Sequence, residues 1–202
     1  GLSRLVVRPD RQSSGLGSRL LRRTNEYAEG ARGRIILSSR DSRALRAYAR
    51  LGLDVHPSLD ANGVPRGVRI ADDVREGGRD DIPFTAEVDT HVRGAAHGDD
   101  IGAQLEMGST LLVSPRGYVV VGGGDVRLLA AFDEAAASDL LRAALAWIGE
   151  RKANVSWITS SQQWALRVCV EAGLGLTAPA GAVCVDGDVG PFTPYLPSGA
   201  FL

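Results

Sequence analysis

The sequence predicts an α/β protein with a mixed sheet, laid out as two repeats of one strand–helix pattern. Three observations predict it. The apolar run Leu5-Val6-Val7 leads through a Gly- and Ser-rich loop into an amphipathic segment beginning at Leu16. Short β-branched runs then alternate with helical patterns along the chain, as expected where helices cover a sheet. Finally, the order strand–helix–strand–helix–Gly–Leu occurs over residues 5–53 and again over 126–174, a degenerate internal repeat.

Taken in order, Leu5–Val7 reads as a strand and Leu16–Gly30 as a helix, with Leu16, Leu20, Leu21 and Tyr27 near helical spacing. Arg34–Ser39 is the next strand. Ser42–Leu51 is a helix opened by Asp41, a good N-cap, and stopped by Gly52. Leu53–Pro57 and Gly67–Ala71 read as partner strands around a turn at Asp60–Gly63. The charged, Gly- and Pro-bearing stretch 72–86 holds the boundary, so the expected division is a first unit at 1–75, a linker at 76–86 and a second unit at 87–202. In the second unit, helices are expected at Glu87–Ala96 and Asp100–Met107, and a hairpin at Leu111–Ser114 and Tyr118–Val121 around Pro115-Arg116-Gly117. A strand Val126–Phe132, a helix Glu134–Lys152, a strand Val155–Thr159, a helix Gln162–Ala172 and a strand Ala182–Val185 follow, before a Pro-punctuated tail.

Composition narrows the function classes. The 202 residues are 44% hydrophobic and 23% charged, with a net charge of −1, so the whole chain offers no electrostatic case for nucleic acid. No apolar run reaches the roughly 18–20 residues that span a membrane. No secretory signal pattern opens the chain. The expected compartment is the cytoplasm, where Cys169 and Cys184, lacking CxxC spacing, stay reduced and buried. Lys152 is the sole lysine among 23 Lys and Arg residues.

The loop after Val7 carries chemistry. Glycines at 15 and 17 let backbone approach a ligand closely, and the N–H groups at a helix start point outward unpaired. The helix dipole adds attraction for an anion, so a phosphate is the natural occupant. The string Gln12, Ser13, Ser14, Gly15, Leu16, Gly17 resembles the acetyl-CoA pyrophosphate loop Q/R-x-x-G-x-G/A of the GNAT acetyltransferase superfamily. Upstream, Leu5 to Asp10 is similar to that family's fourth strand and its V-x-P-[DE] exit. Downstream, the segment Asp41 to Leu53 resembles the second family motif, N-x-x-A-x-x-x-Y-x-x-x-G-F, with Ala44, Tyr48 and Gly52 at the family spacing. Asp41 stands for Asn there, and Leu53 for Phe.

The resemblance implies a GNAT acyl-CoA N-acyltransferase fold in two repeats and an acetyl group moved from acetyl-CoA to a primary amine by direct attack. It implies cofactor contacts from Leu5, Val6, Val7, Gln12, Ser13, Ser14, Gly15, Leu16, Gly17, Ser18, Asp41 and Ala44, and no metal. A backbone N–H near Val6-Val7 would stabilise the oxyanion. Tyr48 would be the general acid to the CoA thiolate, since a hydroxyl with an ordinary pKa of about 10 is protonated at neutral pH. Ala44, Tyr48 and Leu51 also share a helix face at i, i+4, i+7, so a plain core-facing tyrosine is the alternative. The acceptor is a small-molecule or peptide amine; neither nucleic acid nor membrane is expected, and a homodimer is compatible. A GNAT domain has elements before its fourth strand, so a preceding segment is expected, and no general base is assigned. A non-catalytic acyl-CoA-binding or regulatory module is the alternative function.

Other readings of the same residues stay open. A dinucleotide fingerprint would need a third glycine where Leu20 stands and an acidic residue ending the strand 34–39, where Arg40 and Asp41 follow. A purely structural glycine turn is the third. In the second repeat, residues 133–139 (DEAAASD) lack a glycine pair, and Cys169 takes the tyrosine position, so that half is expected to have lost CoA binding. His91, His97, Glu87, Asp89 and Asp99 show no metal-ligand spacing, and His97-Gly98-Asp99 reads as a joint between helices. Arg19, Arg22 and Arg23 either reach the CoA 3′-phosphate or form a solvated face. Trp147, Trp157 and Trp164 read as core.

Overall fold

Strand β5 (Gly117–Gly122) and strand β6 (Asp125–Ala131) are nearly continuous apolar runs because both faces of the sheet are covered here. The computed structural model describes residues 7–12 and 14–201. The remaining strands are β1 (Gly33–Ser39), β2 (Asp54–Gly63), β3 (Arg75–Gly77), β4 (Thr110–Ser114), β7 (Ala153–Ile158), β8 (Gly175–Gly187) and β9 (Tyr195–Leu196). Among the described residues six α-helices accompany them: α1 (Leu16–Tyr27), α2 (Ser42–Arg50), α3 (Ile82–Arg93), α4 (Asp100–Glu106), α5 (Glu134–Ile148) and α6 (Gln163–Glu171). The strands form one nine-stranded sheet in the order β1-β8-β2-β7-β6-β5-β4-β3, with β9 added to β6. All its pairings are antiparallel except β6–β7, so the sheet is mixed, as the sequence predicts.

Alternation along the strands sends neighbouring side chains to opposite cores. Leu129 joins Leu141, Leu145, Val155, Ile158 and Trp164 beneath α5 and α6. Leu128, next to it, joins Val88, Val92, Ile101, Leu111 and Val120 beneath α3 and α4. A third cluster holds α1 and α2 to β1, β2 and β8 through Leu21, Tyr48, Leu53, Ala182 and Cys184. Cys169 and Cys184 are free, buried thiols.

Two features of the sheet shape everything else. In the strand order β1-β8-β2-β7, the units β1–α2–β2 and β7–α6–β8 occupy equivalent places, each placing its second strand beside the other's first. The sheet therefore runs unbroken from the first half of the chain into the second. The parallel strands β6 and β7 are paired only at Asp125–Asn154 and Val126–Val155, after which they part. Because β5 covers the other edge of β6, strand β9 pairs with β6 on the side facing β7, through Leu129–Leu196 and Ala130–Tyr195. It also touches β7.

Several elements differ from the sequence expectation. The expected turn at Asp60–Gly63 is strand: β2 continues through it, bulged beside Leu59, and its Asp60 carboxylate accepts the Trp157 N–H at 3.2 Å. Trp157 has φ of 62°, a costly backbone for an aromatic residue that the neighbouring strands hold in place. Residues 67–71 form no strand. Strand β8 starts seven residues before the expected Ala182, because pairing with β2 outweighs its weak Gly, Ala and Pro propensities. Residues 76–86 carry the end of β3, a 3₁₀ turn at Arg79–Asp81 and the first turn of α3, where Pro83 fits because its missing N–H is not needed. Helix α5 stops at Gly149, short of Lys152.

A shared sheet should unfold as a unit. All three tryptophans lie between residues 147 and 164, so their fluorescence follows the second half, whereas far-UV circular dichroism follows the whole chain. Urea transitions by the two probes are expected to coincide. Leu129→Ala, at a fully buried position, should lower stability by about 2–5 kcal/mol in both probes together.

Candidate functional site

The loop between Val7 and α1 is built from local hydrogen bonds. Pro9–Arg11 makes a 3₁₀ turn, and the Ser14 hydroxyl donates to the Arg11 carbonyl at 2.6 Å. The Gln12 amide donates to the Val7 carbonyl at 3.1 Å. Gly15 then takes φ of +79° and starts the helix; nothing lies within 4 Å of a Cβ placed there, so conformation rather than space calls for glycine. Among the described residues no side chain caps α1. Among the described residues the first-turn N–H groups of Leu16, Gly17 and Ser18 thus have no side-chain partner, and the loop carries no acid between Gln12 and Gly17. This suits an anion such as the pyrophosphate of acetyl-CoA. Leu5, Val6 and Ser13 lie outside the described residues.

Helix α2 comes to the same place. Asp41 caps it, its Oδ1 accepting the Arg43 N–H at 2.8 Å. The Arg43 guanidinium folds back on Asp41, with Nη2 to Oδ2 at 2.8 Å, and its Nη1 donates to Gln12 Oε1 at 3.1 Å. The Arg43 guanidinium and N–H together lower the Asp41 carboxyl to about 2. The structure therefore brings together the loop and the start of α2, which lie 31 residues apart in the chain.

One turn further along α2 Ala44 is half-buried, and a turn beyond it Tyr48 is buried, 8% exposed, among Leu21, Leu53, Ala182 and Cys184. Burial raises the Tyr48 pKa, with the nearby Cys184 adding to it, so the hydroxyl keeps its proton at neutral pH. That hydroxyl makes no hydrogen bond among the described residues. Cys184 is pushed up to about 11 by burial. Leu21 and Leu53 also line a cavity of about 460 Å³ that reaches Arg93, His97 and Phe201.

In the second half, the helix start at Asp133 and the position of Cys169, which the sequence pattern sets against the α1 loop and Tyr48, are closed. Asp133 caps α5, accepting the Ala136 N–H at 2.8 Å, and pairs with Arg116 at 2.5 Å. The space where β6 and β7 part holds β9. In α6, Cys169 is fully buried and burial alone pushes its thiol up to about 12.

Sequence reasoning missed a buried polar network in this half. Asp89, 0% exposed, accepts the Tyr118 hydroxyl at 2.5 Å and the His97 Nδ1–H at 2.8 Å, while His97 Nε2 and the Tyr195 hydroxyl lie 3.1 Å apart. His97 is thus part of the core rather than only a joint between helices. No local signal could have joined residues at 89, 97, 118 and 195. His91, Glu87 and Asp99 are exposed instead. Among the described residues no cluster of three or more His, Cys, Asp or Glu could hold a metal. Arg19 and Arg22 are exposed, and Arg23 pairs with Glu26 at 2.9 Å.

The low Asp41 pKa has a testable sign. The folded value of about 2 lies below the ordinary 3.8, so the stabilisation is complete above pH 4 and is lost as pH falls through about 2. Asn caps a helix well but carries no charge. Asp41→Asn should therefore melt below the wild type at pH 5–7, with the gap closing towards pH 2.

No family model matches the sequence, and no curated protein matches it. Solved structures do share its architecture. An assigned acetyltransferase of Pyrococcus horikoshii superposes with a TM-score of 0.77 at 17% identity, over 97% of this chain and 69% of its own. The GCN5-related N-acetyltransferase of Kribbella flavida gives 0.51 at 20% identity, over 90% of this chain and 50% of its own. Eis1 of Mycobacterium abscessus gives 0.53 at 11% identity, over 91% and 54%. This chain thus spans half the length of the Kribbella protein. No helix among the described residues is long and apolar enough to cross a membrane. The fold is that of the GNAT acyltransferases.

Proposed function

We propose that this chain is an acetyl-CoA-dependent N-acetyltransferase whose first half holds the cofactor and whose second half is a degenerate repeat. One observation carries the reading. Helix α1 starts at a left-handed glycine with no capping side chain among the described residues, whereas α5, which follows β6 in the second half, is closed by Asp133. An open helix start attracts pyrophosphate, and a capped acidic one repels it.

When bound, acetyl-CoA supplies the thioester that an amine attacks. The N–H groups of Leu16, Gly17 and Ser18 hold the pyrophosphate, with Gln12, Ser13 and Ser14 shaping the loop and Asp41 and Ala44 bordering it from α2. Tyr48 keeps a proton for the departing sulfur, and burial favours this by keeping the hydroxyl neutral. Of Leu5, Val6 and Val7, to which the oxyanion contact is assigned, only Val7 is described. The acceptor is a small-molecule or peptide amine. Acetyl-CoA supply and two free thiols favour a cytoplasmic setting. The burial of Tyr48 in an apolar cluster favours a second reading, an acyl-CoA-binding module without turnover.

Acetyl-CoA should raise the melting temperature by mass action, and NADP should not. Gly15→Glu, which strains a φ of +79° and places an acid in the cradle, should abolish the rise. No rise with the wild type would refute the assignment. Tyr48→Phe should lower kcat by roughly 10²-fold or more while the acetyl-CoA shift persists. An unchanged kcat would assign Tyr48 to packing, and turnover absent from the wild type would favour the binding module.

A further inference from the structure

We infer that Arg43 is a positioning residue for the acetyl-CoA loop, fixing the Gln12 side chain and through it the approach of the loop to α1. The inference rests on the proposed function for its ligand, but the link itself is a property of the free chain.

A guanidinium offers its donors in a rigid planar fork. Two arms of the Arg43 fork are taken by Asp41: Nε to Oδ1 at 3.2 Å and Nη2 to Oδ2 at 2.8 Å. The Arg43 backbone N–H is held by the same carboxylate at 2.8 Å, so the plane of the group is locked to the first turn of α2. The remaining arm, Nη1, reaches Gln12 Oε1 at 3.1 Å.

That contact decides which way the Gln12 amide points. Its oxygen faces a donor, so its NH₂ faces away and meets the Val7 carbonyl at 3.1 Å. The reverse orientation would set NH₂ against guanidinium and oxygen against carbonyl, losing both bonds. Gln12 therefore links the Val7 carbonyl to the start of α2 and ties the loop to both. From there only Ser13 and Ser14 remain before Gly15, so a shift at Gln12 is passed to the helix start with little chain to absorb it. Both side chains are exposed, and each bond alone is weak against water. Their value lies in the geometry they impose.

Lysine does not reproduce this fork, because its three donors radiate from one atom whereas Arg43 meets Asp41 and Gln12 through three separate nitrogens. The prediction separates positioning from simple attraction between Arg43 and a phosphate. Calorimetric titration of the full chain with acetyl-CoA should show Arg43→Ala and Arg43→Lys weakening binding alike, by roughly 3–10-fold. In a Gln12→Ala background, Arg43→Ala should add nothing further. In turnover, KM for acetyl-CoA should rise and kcat stay unchanged. Without ligand, amide hydrogen exchange over residues 10–16 should accelerate in Arg43→Ala while that of α5 does not change.

Rescue by lysine, additive effects with Gln12→Ala, or unchanged exchange in the loop would each overturn the role. A wild type that binds acetyl-CoA, with Arg43→Ala binding as tightly, would overturn it while leaving the proposed function intact. A wild type that binds no acetyl-CoA would remove both.

Discussion

The antiparallel pairing of β2 with β8 ties the molecule together, because each strand belongs to a different half of the chain and each sits between two strands of the other. Neither half can keep its sheet without the other: β1 would lose its neighbour, and β7 would lose the strand that covers its edge. The bulge beside Leu59, the close approach of Gly181 to the Ser38 carbonyl and the strained Trp157 all lie along this junction. They mark where two pleated surfaces are made to fit.

On this shared frame the halves differ in what their helix starts offer. Among the described residues the first presents an uncapped helix start behind a left-handed glycine and a loop braced by Gln12 and Arg43. The second fills its helix start with the Asp133 carboxylate and the space between its parting strands with Tyr195 and Leu196. The Tyr195 hydroxyl is joined to His97 and so to Asp89, and burying four polar side chains together is tolerable because each has a partner. Among the described residues the helix start of the first half is thus uncapped, and that of the second is closed.

Local chemistry made much of this legible. Asp41 before an amphipathic run and Gly52 after it gave α2 within a residue, and Pro115-Arg116-Gly117 placed the hairpin of β4 and β5. Gly15 at the start of α1 was readable for the same reason: the conformation is set by its immediate neighbours. What sequence could not show depends on distant partners. Strand character at Gly175–Thr177 and Asp60–Asn62 comes from mutual pairing against weak propensity. The Arg43–Gln12 contact depends on where two long side chains meet, and the His97 network draws on α3, β5, β9 and the loop before α4. Tyr48 was legible as a helix-face residue, and its burial fits both the acid and the packing role that its spacing allowed.

The central claim is that one half of the chain, and only one, is built to take acetyl-CoA. The stoichiometry of binding tests it most directly. Isothermal titration of the full chain with acetyl-CoA should give one site per chain, as the open start of α1 and the Asp133 cap of α5 require. Two sites would contradict the account of the second half, and none would contradict the account of the first.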